Sequence, residues 1–230
     1  MEASAEAELR ATDDATGRHR RDAEVEFARI VAFSDGVFAI AITLLVLPLT
    51  IPKQTQDVAA AIWNLDDDLF AYAVSFAVIG KFWLSHHRFY GALERFDNTL
   101  MGLNMLYLAW VVLIPFTSEM LGHFGDDSAA TIAYAAVMAA ASGTFVFQIA
   151  YAYRKGLMRP DADLPGHRYA GPVNFLFAGI FLLSIPVALV STFVAQAMWL
   201  AVFLVGRRAA EWIASRSEPP PQEPHRPPGE

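Results

Sequence analysis

Arg29-Ile-Val-Ala-Phe33-Ser34-Asp35-Gly36-Val-Phe-Ala-Ile40-Ala-Ile-Thr43-Leu44-Leu-Val-Leu47-Pro48 is the stretch that decides the fold. From Val37 to Leu47 it is apolar except for Thr43, yet Arg29, Ser34 and Asp35 occupy its first two turns. A carboxylate at the centre of a membrane helix costs roughly 2.5–3.5 kcal/mol on insertion scales, so it faces protein or water and takes a partner. Arg29 and Asp35 are six positions apart, which sets them about 120° from one another around a helix. Their partners are therefore expected on other helices. The stretch reads as a membrane helix with a polar cluster at its entrance.

Outward from it, the composition agrees. The chain of 230 residues is 55% hydrophobic, with a mean hydropathy of +0.33, and its apolar residues gather in long runs. That marks an integral membrane protein. The expected fold is all-α with six transmembrane helices, over residues 30–49, 69–88, 99–121, 129–153, 172–190 and 192–206. Pro48 and Pro52 end the first span, Ser128 is the expected cap of the fourth, and Pro186 is expected to kink the fifth. Residues 1–24 are a polar arm without an apolar run, so no cleavable signal peptide is expected. Residues 25–212 form the membrane domain, and residues 213–230 a Pro-rich tail; both tails are expected to be disordered.

Six spans place both termini on one side of the membrane, and the basic residues test that. Arg10, Arg18, Arg20, Arg21 and Arg29 precede or open the first span, while Lys81, Arg88 and Arg95 lie near the second turnaround. Arg154, Lys155, Arg159 and Arg168 lie near the fourth, and Arg207, Arg208, Arg216 and Arg226 follow the last. Only Lys53 falls opposite. By the positive-inside rule that basic face is cytoplasmic, giving a multi-pass protein of the cell membrane. The other face carries Asp57, Asp66, Asp67, Asp68, Glu119, Asp126 and Asp127. These acids either concentrate cations or simply keep the loops soluble.

Chemistry is sparse. With no cysteine, disulfides, thiolate nucleophiles and cysteine-held metals are excluded. His86-His87 is the only adjacent histidine pair, its rings about 100° apart, and no carboxylate stands at metal-ligand spacing. Phosphate-binding glycine loops, zincin motifs and nucleophile elbows are absent. No enzyme activity, cofactor, metal or nucleic acid is expected. In the first span, Ile40, Thr43, Leu44 and Leu47 share one stripe at i, i+3, i+4, i+7. Gly36, Ala39 and Thr43 form a competing small-residue strip that would let helices approach closely. The helix is apolar all round, and its residues alone leave both open.

Arg29-x-x-x-Phe33-Ser34-Asp35 followed by an apolar helix resembles the signature of the transmembrane protein 175 family of lysosomal and bacterial potassium channels. Trp83-x-x-His86 and Asn104 with Pro115-Phe116 resemble that family's second and third helices, so the likeness runs roughly from Val25 to Arg208. It implies a network of Arg29, Phe33, Ser34, Asp35, Trp83, His86 and Asn104, with a packing role for Asn104. It further implies a homotetramer in which the first helices line the pore. Ile40 then matches the constriction, Leu44 and Leu47 match further narrowings, and Thr43 matches the position that bears on potassium selectivity. The chain resembles the bacterial form with one six-helix unit. It holds no Thr-Val-Gly-Tyr-Gly filter, so a passive channel with modest potassium preference is expected. The alternative is a proton-coupled or proton-conducting transporter that uses Asp35 and His86 as a relay.

Overall fold

The computed structural model describes residues 25–50, 57, 59, 65–159 and 167–200, with side chains in 167–174 and at 66 excepted. The two tails, the span-6 residues beyond 200 and most of the connections at 51–64 and 160–166 lie outside these. Every labelled element is a helix: α1 Val25–Leu44, α2 Asp66–Gly91, α3 Asn98–His123, α4 Ser128–Lys155, α5 His167–Ala188 and α6 over 192–200. The first four are long and apolar enough to cross a membrane. At 1.5 Å per residue, the 26 residues of α3 reach about 39 Å, against a hydrocarbon core of about 30 Å.

Consecutive helices from α2 to α5 pack on one another as an antiparallel series, the arrangement that short connections favour. At one end, which carries the basic residues, the α2–α3 connection is tied to the end of α4. Leu93 and Met158 form an antiparallel bridge. Glu94 N–H donates to Leu157 O at 2.9 Å and Arg159 N–H to Ala92 O at 3.0 Å. Gly156 supplies the turn that makes this possible, ending α4 at φ 62°, where a side chain would be strained. At the acidic end, α2 approaches α3 so closely that a Cβ on Gly122 would collide with the Asp68 side chain.

The helix ends differ from expectation in three places. Asp127, not Ser128, caps α4: its carboxylate accepts from Ala129 N–H at 2.7 Å. Ser128 instead donates to Ala188 O at 2.9 Å, tying α4 to the end of α5. A carboxylate one residue earlier reaches the orphan amides and also meets the positive end of the helix dipole. Pro186 lies in the last turn of α5, two residues before that helix ends at Ala188. After Leu44, α1 tightens into i→i+3 bonds, with Leu47 N–H donating to Leu44 O at 3.2 Å. Pro48, lacking an N–H, ends the α-helical ladder there.

The core is aromatic at both depths. Nearer the basic end, Phe38 of α1, Phe82 and Tyr90 of α2, Tyr107 of α3 and Phe145 of α4 are fully buried. Nearer the acidic end, Tyr134 packs on Trp199 of α6 with ring centroids 4.9 Å apart. Its hydroxyl donates to Ser75 Oγ at 3.0 Å, and Ser75 donates to Ser118 Oγ at 2.9 Å. Three buried hydroxyls on α2, α3 and α4 thus satisfy one another, as an interior without water requires.

Candidate functional site

Helix α1 has two unlike faces. Ser34, Phe38, Ala41 and Leu45, spaced four, three and four apart, are buried against α2 and α3. Ser34 carries the polar contact of this face. Its hydroxyl donates to Ile30 O at 2.9 Å within α1, which leaves the oxygen free to accept from Asn104 Nδ2 of α3 at 3.0 Å. Asn104 Oδ1 then accepts from His86 Nε2–H of α2 at 3.0 Å. All three side chains are fully buried. The chain has one direction, His86 to Asn104 to Ser34 to Ile30, and it requires the imidazole proton on Nε2.

Asp35 is placed apart from this chain. It accepts from Trp83 Nε1–H at 2.9 Å, and Trp83 stacks on His87 with centroids 5.6 Å apart. The partner of Asp35 is therefore on another helix, as expected, and it is Trp83. His86 is turned inward because its ring stacks on Tyr90, with centroids 4.1 Å apart, and packs against the tilted ring of Phe38 at 5.5 Å. Arg29 and Phe33 do not join either set: both are exposed, about 140° and 100° round α1 from Ser34. Sequence reasoning missed the support around His86. Tyr90, four residues on from His86, donates to Gln148 Oε1 at 3.0 Å, and Gln148 Nε2 donates to Leu103 O at 3.3 Å. The i,i+4 spacing of His86 and Tyr90 was the available signal.

The opposite face of α1 is bare. Ile40 is 61% exposed, Leu44 39% and Leu47 65%, and Thr43 is exposed between them. Gly36 and Ala39 of the small-residue strip are exposed too, with open space where a Cβ on Gly36 would stand. Within one chain, then, neither stripe packs against another helix. Thr43 donates its hydroxyl proton to Ile40 O at 2.9 Å. That bond is local to the helix and leaves both lone pairs of the hydroxyl oxygen unused by it.

Charges at the helix ends complete the picture. Asp97 caps α3, accepting from Leu100 N–H at 2.8 Å and from Tyr151 Oη at 2.7 Å. Desolvation pushes its carboxyl up, but these hydrogen bonds outweigh it and hold the group below the ordinary carboxylate value. At the acidic end a recess of about 140 Å³ is lined by Asp67, Asp126, Thr192 and Gln196, among others. Among the described residues, no three histidine or carboxylate side chains are grouped to hold a metal ion.

This arrangement has known counterparts. Residues 29–115 match the family model described as the endosomal/lysosomal potassium channel TMEM175. Over 176 residues the chain is 37% identical to a Streptomyces collinus protein named a potassium channel, covering 72% of this chain and 84% of the relative. A mouse protein named an endosomal/lysosomal proton channel is 28% identical over 170 residues, which span only 33% of its length. The crystal structure of a lysosomal potassium-selective channel TMEM175 homolog from Chamaesiphon minutus superposes with a TM-score of 0.66 at 26% identity. That match covers 85% of this chain and all of the other. A second solved TMEM175 potassium channel shares the fold, with a TM-score of 0.59 at 21% identity. The chain is a multi-pass membrane protein of an ion-channel family rather than an enzyme class, and it belongs to the TMEM175 family.

Proposed function

We propose that the protein is a passive potassium channel of the cell membrane, a homotetramer in which four α1 helices surround one pore. One observation carries the reading: α1 is anchored on one face by Ser34, Phe38, Ala41 and Leu45 and bare on the other. A helix held this way presents Ile40, Thr43, Leu44 and Leu47 to whatever surrounds it. The relatives named potassium channels support a pore as that surround, and one six-helix unit needs further copies of itself to enclose an axis. Four Ile40 side chains then form an apolar collar that resists wetting, so ions shed water there. The Thr43 oxygens, one turn away, replace part of the lost hydration and favour potassium modestly. Of the motif network, Ser34, Asp35, Trp83, His86 and Asn104 are assigned to holding α1 against its own bundle at the basic end, and Arg29 and Phe33, exposed in the single chain, to holding it against the neighbouring subunits. That end is cytoplasmic along with both termini. Within that group Ser34, Asn104 and His86 supply the buried link.

A relay through Asp35 and His86 has less support, because the two side chains have separate partners, Trp83 and Asn104. Flux of potassium, sodium and protons from purified protein in liposomes tests both readings. Ile40→Ala is expected to raise flux and flatten discrimination, and Thr43→Val to weaken the potassium preference while the tetramer persists. Wild-type flux and selectivity in both variants would remove α1 from the pore.

A further inference from the structure

The exposed positions of α1 follow a stricter rule than one stripe. Phe33, Gly36, Ile40, Thr43 and Leu47 alternate at three and four residues, and every one is exposed in the single chain. Such alternation is the seam of helices packed around a common axis. Continued toward the basic end, the same alternation falls on Arg29 and then Glu26, both exposed. Neither has an ion-pair partner among the described residues. Two charged layers of opposite sign therefore extend an otherwise uncharged seam.

The charges have consequences for a cation pathway. Arginine does not deprotonate in proteins, so four Arg29 guanidiniums around one axis would repel potassium at its entrance. Asp35 does not neutralise them: it lies about 120° round the helix from Arg29 and is engaged by Trp83. Glu26 is one turn away on the seam itself. Both side chains are long enough to reach between adjacent helices.

We propose that Glu26 of each subunit pairs with Arg29 of its neighbour, forming a neutralised collar at the cytoplasmic mouth that keeps the entrance open to cations. The proposal rests on the four-fold pore formed by α1. It makes Glu26 a residue that tunes permeation, outside the motif that identifies the family, and it makes each mouth incomplete without the adjacent copy.

Potassium conductance of the full-length channel in planar bilayers tests it, at low and at high salt. Glu26→Gln leaves the guanidiniums bare and is expected to cut conductance at least about twofold at about 10 mM KCl, where charge acts over about 30 Å. At about 1 M KCl the range shrinks to about 3 Å and the deficit should vanish. The double variant Glu26→Gln/Arg29→Gln is expected to recover the low-salt conductance. Because the chain has no cysteine, Glu26→Cys/Arg29→Cys adds a readout independent of conduction: oxidation should join neighbouring subunits. A control separates the two levels of inference. If a thiol reagent blocks Ile40→Cys channels but Glu26→Gln conducts normally at low salt, or the cysteines never join, the collar is wrong and the pore stands. If the reagent leaves Ile40→Cys current intact, the pore reading falls and the collar with it.

Discussion

Two phenylalanines five residues apart on α1 have opposite surroundings. Phe38 is 1% exposed, packed on His86 and Tyr107, whereas Phe33 is 55% exposed. The difference teaches what this helix is for. One face is a membrane-protein core, where fit and hydrogen bonding decide whether the bundle forms. The other contributes little to the fold of one chain and is free to serve the pore proposed for it. Residue type does not separate the two faces, since both hold apolar side chains; only burial does.

The sharpest way to break that comparison is to cut both phenylalanines. Phe38→Ala is expected to cost roughly 3–5 kcal/mol, the range for large-to-small changes in a packed core. Phe33→Ala should cost the single chain under about 1 kcal/mol, because little of its area is removed from other surroundings on folding. Denaturant or thermal unfolding of the purified variants in detergent measures both. Equal losses would mean that the exposed face is as much a folding surface as the buried one.

A second test acts on the polar part of the buried face. Asn104→Ala takes the donor from Ser34 and the acceptor from His86, leaving His86 Nε2–H buried without a partner. An orphaned buried group costs about 1–3 kcal/mol. The expected outcome is a lower unfolding midpoint together with wild-type ion preference in the surviving channels. Changed selectivity with normal stability would instead put Asn104 in the permeation path.

How much of this was legible beforehand follows from the same contrast. The apolar runs and the positions of proline and glycine made the first spans readable, because helix length and hydropathy are local properties. Ser34, His86 and Asn104 stood out for the same reason: polar residues within apolar runs must find partners. Which partners they find is not local. Asp35 goes to Trp83, while His86 stacks on Tyr90 beside Phe38 and turns to Asn104, a matter of tertiary packing. The bare face of α1 could be listed as a stripe but not chosen over the strip of Gly36 and Ala39, since every side of that helix is apolar. The cap of α4 was misplaced by one residue because Asp127 and Ser128 are both competent caps, and only the hydroxyl's bond to Ala188 O separates them.

The smallest expected effect concerns the acidic group that anchors α3 outside the span. Asp97 is an N-cap, and its hydrogen bonds from Leu100 N–H and Tyr151 Oη favour the ionised form, so its folded value lies below the unfolded one. A carboxyl depressed in this way contributes stability that is present above its unfolded pKa. That contribution is lost as pH falls through the lower, folded value. Asp97→Asn keeps a side-chain oxygen competent to cap but removes the titration. Wild type and variant are therefore expected to differ by less than about 1 kcal/mol near neutrality, the scale of exposed charge effects, and to converge in acid. Unfolding midpoints followed from pH 7 downward provide the check. A gap that persists or widens as the solution is acidified would show that Tyr151 and the α3 amides hold Asp97 by shape alone, and that its charge does nothing for the anchored side of the bundle.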